Sequence, residues 1–297
     1  WADGYRAGHV WTMVGRDAVS KAQAFAEGVL RRTARALDSA GLSPLSETSI
    51  ELPGSESQFP PKARRAALRE VNLKIAVKHP SAAGVALFLK EMTGHALAAP
   101  PGLCGFAGAR AKPSPVVRLF SFTVPVAGVP VEVDVEGEQL ALAPPPASAE
   151  RDLPPSAPLP LLPSGADEAM VVVPLETLAR ARSGDKGDKA NIGVIARDPQ
   201  FLPHIAAALT EAAVAACFAH FLAPGQARPV QRFYLPGTAA LNFLLHGVLG
   251  GGGIASLRVD AQGKAYAQVL LTTPVTVPAT LVAAHGLAIS DSEDHSV

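Results

Sequence analysis

The sequence predicts a mixed fold in two bodies, α/β and then α+β, on three observations. Residues 17 to 40 place Ala18, Ala22, Phe25, Val29, Thr33 and Leu37 three and four apart, the period of a helix with one buried face. Residues 144 to 163 hold eight prolines in twenty. Proline removes a backbone donor and fixes φ, so this stretch reads as an extended linker. Beyond it, apolar runs of strand length alternate with helical stretches, the pattern of a sheet covered by helices.

In the first body the initial residues Trp1, Tyr5, Val10, Trp11 and Val14 crowd together with no clear period. They read as an apolar surface that needs a partner, either another subunit or a preceding segment. The helix over 17–40 stops at Gly41, a residue that tolerates the left-handed backbone of a helix end. A second helix is expected over 61–78, with Pro61 in its first turn and His79-Pro80 as its stop, and a third over 81–95. "PPGLCGFAGARAKPSP" (100–115) holds too much Gly and Pro for regular structure and reads as an ordered loop. Residues 116–124 and 129–137 read as strands. The latter alternates Val131, Val133 and Val135 with Glu132, Asp134 and Glu136, which gives it one wet face.

In the second body, residues 169–175 and 191–197 read as strands, and Asp198-Pro199 opens a helix to about 222. Residues 229–235 read as a strand, and Thr238 caps a helix through Leu249. "ASLRVD" and "KAYAQVLL", joined by Ala261-Gln262-Gly263, read as a hairpin. A small sheet with two helices is ferredoxin-like in outline. The bodies are therefore set at 1–140 and 169–285, with 141–168 as linker and 286–297 as a tail.

Composition excludes several classes of function. Lys plus Arg equals Asp plus Glu, 26 of each, so no global field recruits nucleic acid or an acidic membrane. No apolar run approaches the ~20 residues of a membrane span. Cys104 and Cys217 lie far apart, with neither a disulfide framework nor zinc spacing. A reducing compartment follows: the cytoplasm or, in a eukaryote, the mitochondrial matrix. The start, "WADGYRAGHVW", lacks both Met and the pattern of a signal peptide and reads as processed or truncated.

The chemistry is concentrated in "RARSGDKGDKANIGVIAR" (180–197), where Arg180, Arg182, Lys186 and Lys189 surround Asp185, Asp188 and two glycines. Arg182, Lys186 and Lys189 could receive phosphate or carboxylate, and Asp185 and Asp188 could ligate Mg²⁺. The alternative is a solvated turn whose charges pair locally for little gain. The glycines, and the strand that anchors the stretch to a sheet end, favour a site as strongly as a turn. "LGGGGIASLR" (249–258) follows a helix and enters a strand, the reverse of a phosphate loop, so helix termination is favoured. Asn242 and His246, four apart on one helical face, form either an acid/base pair or the wet side of that helix. The basic run from Lys62 to Lys78 reads as a solvated helix face.

"RSGDKGDKANIGVIAR", "YLPGTAALNFLLHGVLGGGG" and "SLRVDAQGKAYAQVLL" resemble the C-terminal domain of the acyclic terpene utilisation (AtuA-like) family. "DGYRAG", "IELPGSE", "ALREVNLKIAVKH" and "PPGLCGFAGARAKPSPVVRLFSF" resemble the second part of that family's large N-terminal domain. The resemblance covers nearly the whole chain outside the linker. Family members carry a long segment ahead of "DGYRAG", so it implies that residues 1–140 are the later part of a partial large α/β domain, followed by a ferredoxin-like α+β domain. It further implies a role in breaking down branched, isoprenoid-derived acids as CoA thioesters, through retro-aldol cleavage of a 3-hydroxyacyl-CoA. Asp185 or Asp188 would then act as base or metal ligand and Arg182 or Lys186 as electrophile, with Lys189, Asn191, Asn242 and His246 holding substrate. Hydration of a branched enoyl-CoA and a non-catalytic, self-associating assembly subunit are the alternatives.

Overall fold

The computed structural model describes residues 1–59, 67–105, 111–142, 157–162 and 168–287. The first body opens with β1 (Ala2–Val14), α1 (Ala18–Ser39), β2 (Glu47–Glu51), β3 (Glu70–His79) and α2 (Ala82–Ala96). Two short strands follow, β4 (Leu103–Cys104) and β5 (Ser114–Val117). Strands β2, β3, β1 and β4 lie in that order, with β5 also pairing β1. The helices cover one sheet face. Ala18, Ala22, Phe25, Val29, Thr33 and Leu37 of α1 are buried, and Phe25 and Val29 join Met13, Leu73, Ile75 and Phe88 in one core. The spacing that predicts α1 thus also names its buried face. Ser81 caps α2, its hydroxyl accepting from the Gly84 amide at 3.3 Å.

After these, β6 (Val131–Val135) and β7 (Glu138–Leu142) pair only with each other. The second body holds β8 (Met170–Pro174), α3 (Leu175–Leu178), β9 (Ala179–Lys186), β10 (Lys189–Ala196), α4 (Leu202–Ala208) and α5 (Glu211–Cys217). It ends with β11 (Val230–Leu235), β12 (Ala240–Leu245), α6 (Tyr266–Leu271), β13 (Pro274–Pro278) and α7 (Ala279–Ala284). Its antiparallel sheet runs β11-β12-β10-β9, beside a β13-β8 pair. Ile192, Val194, Phe243 and Leu245 pack on Phe201, Ile205, Phe218 and Tyr266 in a second core.

Several expectations are corrected. The helix expected over 61–78 is, from Glu70, the strand β3; residues 60–66 lie outside the described ones. Val71, Leu73, Ile75 and Val77 alternate with Asn72, Lys74, Ala76 and Lys78, a period of two that the scattered cations obscure. Its second half is buried on both faces, Ala76 and Lys78 as well as Ile75 and Val77, and β2 and β1 cover its two edges. The period-less start is β1, the strand beside it; Trp11 packs edge-on to Phe25, while Trp1, Val10 and Val14 are exposed. The strand expected over 116–124 ends at Val117. Within 100–115, short strands interrupt the expected loop. The helix expected to 222 breaks at Leu209, because Thr210 starts a new one with its hydroxyl accepting from the Ala213 amide at 3.1 Å.

The helix expected over 238–249 is the strand β12. Ala239 takes a left-handed backbone at φ 47°, and Leu241, Phe243 and Leu245 all point into the core. Flanking strands override the local helix signal. The expected hairpin over 255–271 is a turn followed by α6. Both oxygens of Asp260 accept amides there, from Lys264 at 2.9 Å and Ala265 at 2.8 Å, which starts a helix and not a strand. Of the expected linker 144–163, only 157–162 is described, without regular structure.

Among the described residues, Phe59 packs against the core of the second body, and three side chains on the helix-free face of the first sheet hold its backbone. The Arg6 guanidinium donates to Ser256 O at 2.7 Å, and Lys74 Nζ donates to Leu257 O. The Val259 amide donates to Glu51 Oε2 at 2.9 Å. All three hold backbone of the segment 256–259.

Candidate functional site

The charged stretch 180–191 is not a loop but a hairpin. β9 and β10 pair from Lys186 opposite Lys189 to Ala179 opposite Ala196, joined only by Gly187 and Asp188. Gly187 takes φ 68°, the left-handed value that a two-residue hairpin turn demands. Alternation sends Arg180 and Arg182 to the open side while Ser183 points inward, accepting from the Ala267 amide at 2.9 Å.

The hairpin tip docks on the glycine run. Asp188 Oδ1 accepts from the Gly251 amide at 2.7 Å, and the Val248 amide donates to Asp188 O at 3.1 Å. A Cβ on Gly252 would lie 2.6 Å from Gly187 O, and its φ is 79°, so a side chain is excluded twice over. Two motifs that look independent in sequence are therefore one structural unit, with Asp188 as its clasp. Asp185 pairs with Lys264 at 3.3 Å. Its carboxyl is held below the usual range first by a backbone amide and then by Lys264. Lys186 Nζ donates to Asp185 O at 2.8 Å, while Arg182 and Lys189 are exposed.

The remaining expected site residues lie on the sheet. Asn191 Nδ2 donates to Asn242 Oδ1 at 2.7 Å across β10 and β12. Asn242 lies on β12 and His246 just past its end, so they do not share a helical face. His246 Nε2 instead meets Gln231 Oε1 at 3.0 Å, and burial holds its pKa below the ordinary 6.5. Among the described residues, no group of three or more His, Cys, Asp and Glu is arranged to hold a metal ion. Asp185 and Asp188 do not form a fitting cage for Mg²⁺, since each already has a partner on a different neighbour.

The far side of the glycine run lines a cleft of about 710 Å³ between the two bodies. Arg6, Val10 and Lys74 line it from the first body, and Gly253, Ser256 and Arg258 from the second, together with Lys112. Lys74 Nζ sits 2.5 Å from Glu51, with both side chains largely buried. Burial lowers the Lys74 pKa, opposed by Glu51, and the nearby Arg258 and Arg6 charges push it further down. His9, in register with Ile75 and 4.6 Å from the Trp11 ring, turns its side chain to the helix-covered face, where burial lowers its pKa. The Arg258 guanidinium lies 5.0 Å over the Phe221 ring and donates to Val248 O and Phe221 O. Beside it the Tyr266 hydroxyl donates to Val248 O at 2.9 Å, and burial pushes its pKa up to about 12.

Sequence reasoning missed Arg6, Glu51, Lys74 and Arg258 as a group. A signal existed for Lys74, because reading 70–79 with a period of two places it on the face opposite the core.

Two family models match the chain. Acyclic terpene utilisation family protein AtuA matches residues 1–135, and the AtuA ferredoxin-like domain matches residues 173–276. No curated protein and no solved structure matches it.

Proposed function

From a chain that is AtuA-like in both bodies, and so a protein of acyclic terpene utilisation, we propose an enzyme that binds an anionic acyl-CoA in the cleft between them and cleaves it. The observation that carries this reading is the cleft's charge. Arg6, Lys74, Lys112 and Arg258 line it, and Glu51 is the carboxylate paired within the cluster. Partly buried cations that outnumber their counter-ions favour an incoming anion, because water screens them poorly.

In the reaction, the 3-hydroxyl gives up its proton to water in the cleft. The bond between C2 and C3 then breaks to give a carbonyl at C3 and a thioester enolate, which is protonated at C2. The Arg6 and Lys74 cations stabilise the enolate oxygen as its charge develops. Asp188 acts at one remove, fixing the glycine run that forms the opposite wall, so its role here is positioning. Hydration of an enoyl-CoA would use the same cations without carbon–carbon cleavage.

The test is calorimetric titration with CoA and with 3-hydroxy-3-methylglutaryl-CoA, followed by mass spectrometry of the products. Arg6→Gln should weaken thioester binding roughly tenfold, the scale of one charge-assisted contact. Lys74→Gln should slow cleavage by about 10²–10³, the scale of one lost partner of a developing oxyanion. Equal binding by wild type and Arg6→Gln would remove the cleft as the site. Intact substrate after incubation with a binding-competent wild type would remove the lyase.

A further inference from the structure

The hairpin β6-β7 has no core of its own. Its register sets Val133 opposite Leu140 and Val135 opposite Glu138, so Val131, Val133, Val135 and Leu140 share one face. All four are 37% to 52% exposed. A two-stranded hairpin is marginal in water without something to pack on, and a contiguous apolar face marks a contact surface. Residues 129–142 also carry Glu132, Asp134, Glu136 and Glu138 with no Lys or Arg.

A complementary surface lies on the open face of β11-β12-β10-β9. By register this face bears four cations, Arg180, Arg182, Lys186 and Lys189, whereas Arg232 and Asp185 lie on the opposite face, in register with Phe243 and Ala190. Ile195, Phe233 and Leu235 are exposed there, each by 46% to 48%. Among them lies Gly193, between Arg182 and Asn242. Nothing among the described residues requires glycine at this position. Its φ is not left-handed, and an added Cβ would meet nothing nearer than Arg182 O at 4.0 Å. A strand glycine without an internal reason often marks the close approach of another backbone.

We propose that the acidic hairpin of one copy packs its apolar face onto this open sheet face of a second copy. Two sheets stacked about 10 Å apart interdigitate their side chains, so the hairpin valines enter the depression over Gly193 while Glu138, on the same face opposite Val135, meets Arg180 or Arg182. Each chain carries both halves. Two copies therefore exchange hairpins and cover both apolar surfaces in one closed, two-fold pair. This rests on surfaces away from the proposed acyl-CoA cleft, so the two readings can fail separately.

Analytical ultracentrifugation of the chain tests it. Wild type should sediment as a dimer at micromolar concentration. Val133→Asp on the hairpin and Gly193→Val on the sheet should each raise the dimer dissociation constant at least tenfold. Neither side chain belongs to a core, so the circular dichroism should not change. Gly193→Val suits its strand and should not lower the melting temperature, which separates lost association from lost folding. Val133→Cys and Phe233→Cys, on differently tagged chains in a Cys104→Ser, Cys217→Ser background, should form a disulfide between the chains when mixed. A monomeric wild type, a dimer indifferent to both substitutions, or a disulfide formed only within a chain carrying both cysteines would overturn the proposal.

Discussion

Each of the two sheets buries one face under helices, and the opposite faces differ. On the first sheet that face bears Arg6, Glu51 and Lys74, and the backbone of residues 256–259 lies against it. On the second it bears Arg180, Arg182 and the Asn191–Asn242 pair, with Ile195 and Phe233 exposed. Similar residue types thus do different work. Charges on the covered face are desolvated and tied to backbone groups, where the loss of one partner is costly. Charges on the open face stay in water and contribute little to stability. What the difference teaches is that charge density in a sequence does not locate the important charges. The dense 180–189 run lies mostly on the open side, whereas the covered cluster is drawn from distant positions.

The largest expected effect lies on the covered face. Glu51→Ala leaves Lys74 buried beside Arg6 and Arg258 and removes the acceptor of the Val259 amide. Breaking a buried pair costs about 3–5 kcal/mol, and because both side chains keep a little exposure we expect ~2–3 kcal/mol in urea denaturation. The double replacement Glu51→Leu with Lys74→Met should recover most of that loss. A single-variant loss below about 0.5 kcal/mol would abolish the contrast between the two faces.

This contrast also marks where the sequence was legible. The α1 helix could be read because its buried residues repeat at the helical period and lie within one element. β12 could not, since "ALNFLLHGVL" suits a helix locally and becomes a strand only through pairing with β10 and β11. The glycine run was read as helix termination, and the hairpin tip that it receives lies about sixty residues earlier. The covered cluster was out of reach for the same reason. Lys74 and Leu257 are 183 residues apart, and Glu51 and Val259 are 208. No local period encodes such a contact.

A smaller effect is expected at the clasp between hairpin tip and glycine run. Asp188→Ala removes the acceptor of the Gly251 amide and should cost about 1–2 kcal/mol. Asp188→Asn keeps a carbonyl oxygen in place and should recover most of it. Hydrogen exchange at Gly251 reads the loosening directly. Rapid exchange in the alanine variant with thioester binding unchanged would separate the clasp from the cleft.

Acid should act mainly through buried histidines. Burial lowers the pKa of His9, His95, His204, His220 and His246 below 6.5. The unfolded chain therefore takes up these protons first as pH falls. Their penalty is absent above 6.5, grows as pH drops below it, and levels off once the folded pKa values are passed. His285, raised by the Leu281 carbonyl and by Asp198, has the opposite sign: its contribution is full below 6.5 and fades as pH rises through its folded pKa. A melting temperature that falls from pH 7 to pH 5, and falls less in His204→Met, is the expected outcome.

The smallest effect belongs to the open face and sharpens the comparison most. Asn191 and Asn242 make a good bond at 2.7 Å, yet both are only half-buried, so water competes for each partner. A net hydrogen bond in such a setting contributes about 0.5–1 kcal/mol. Asn242→Val substitutes a β-branched residue well suited to a strand and should offset much of that. Stability should therefore change by less than about 0.5 kcal/mol, while Asn242→Ala loses the bond without the strand preference and should cost slightly more. Both variants should bind thioester like wild type, because the cleft lies elsewhere. Should Asn242→Val instead lower thioester affinity with its melting temperature unchanged, the open face would be the ligand surface and the two sheets would exchange roles.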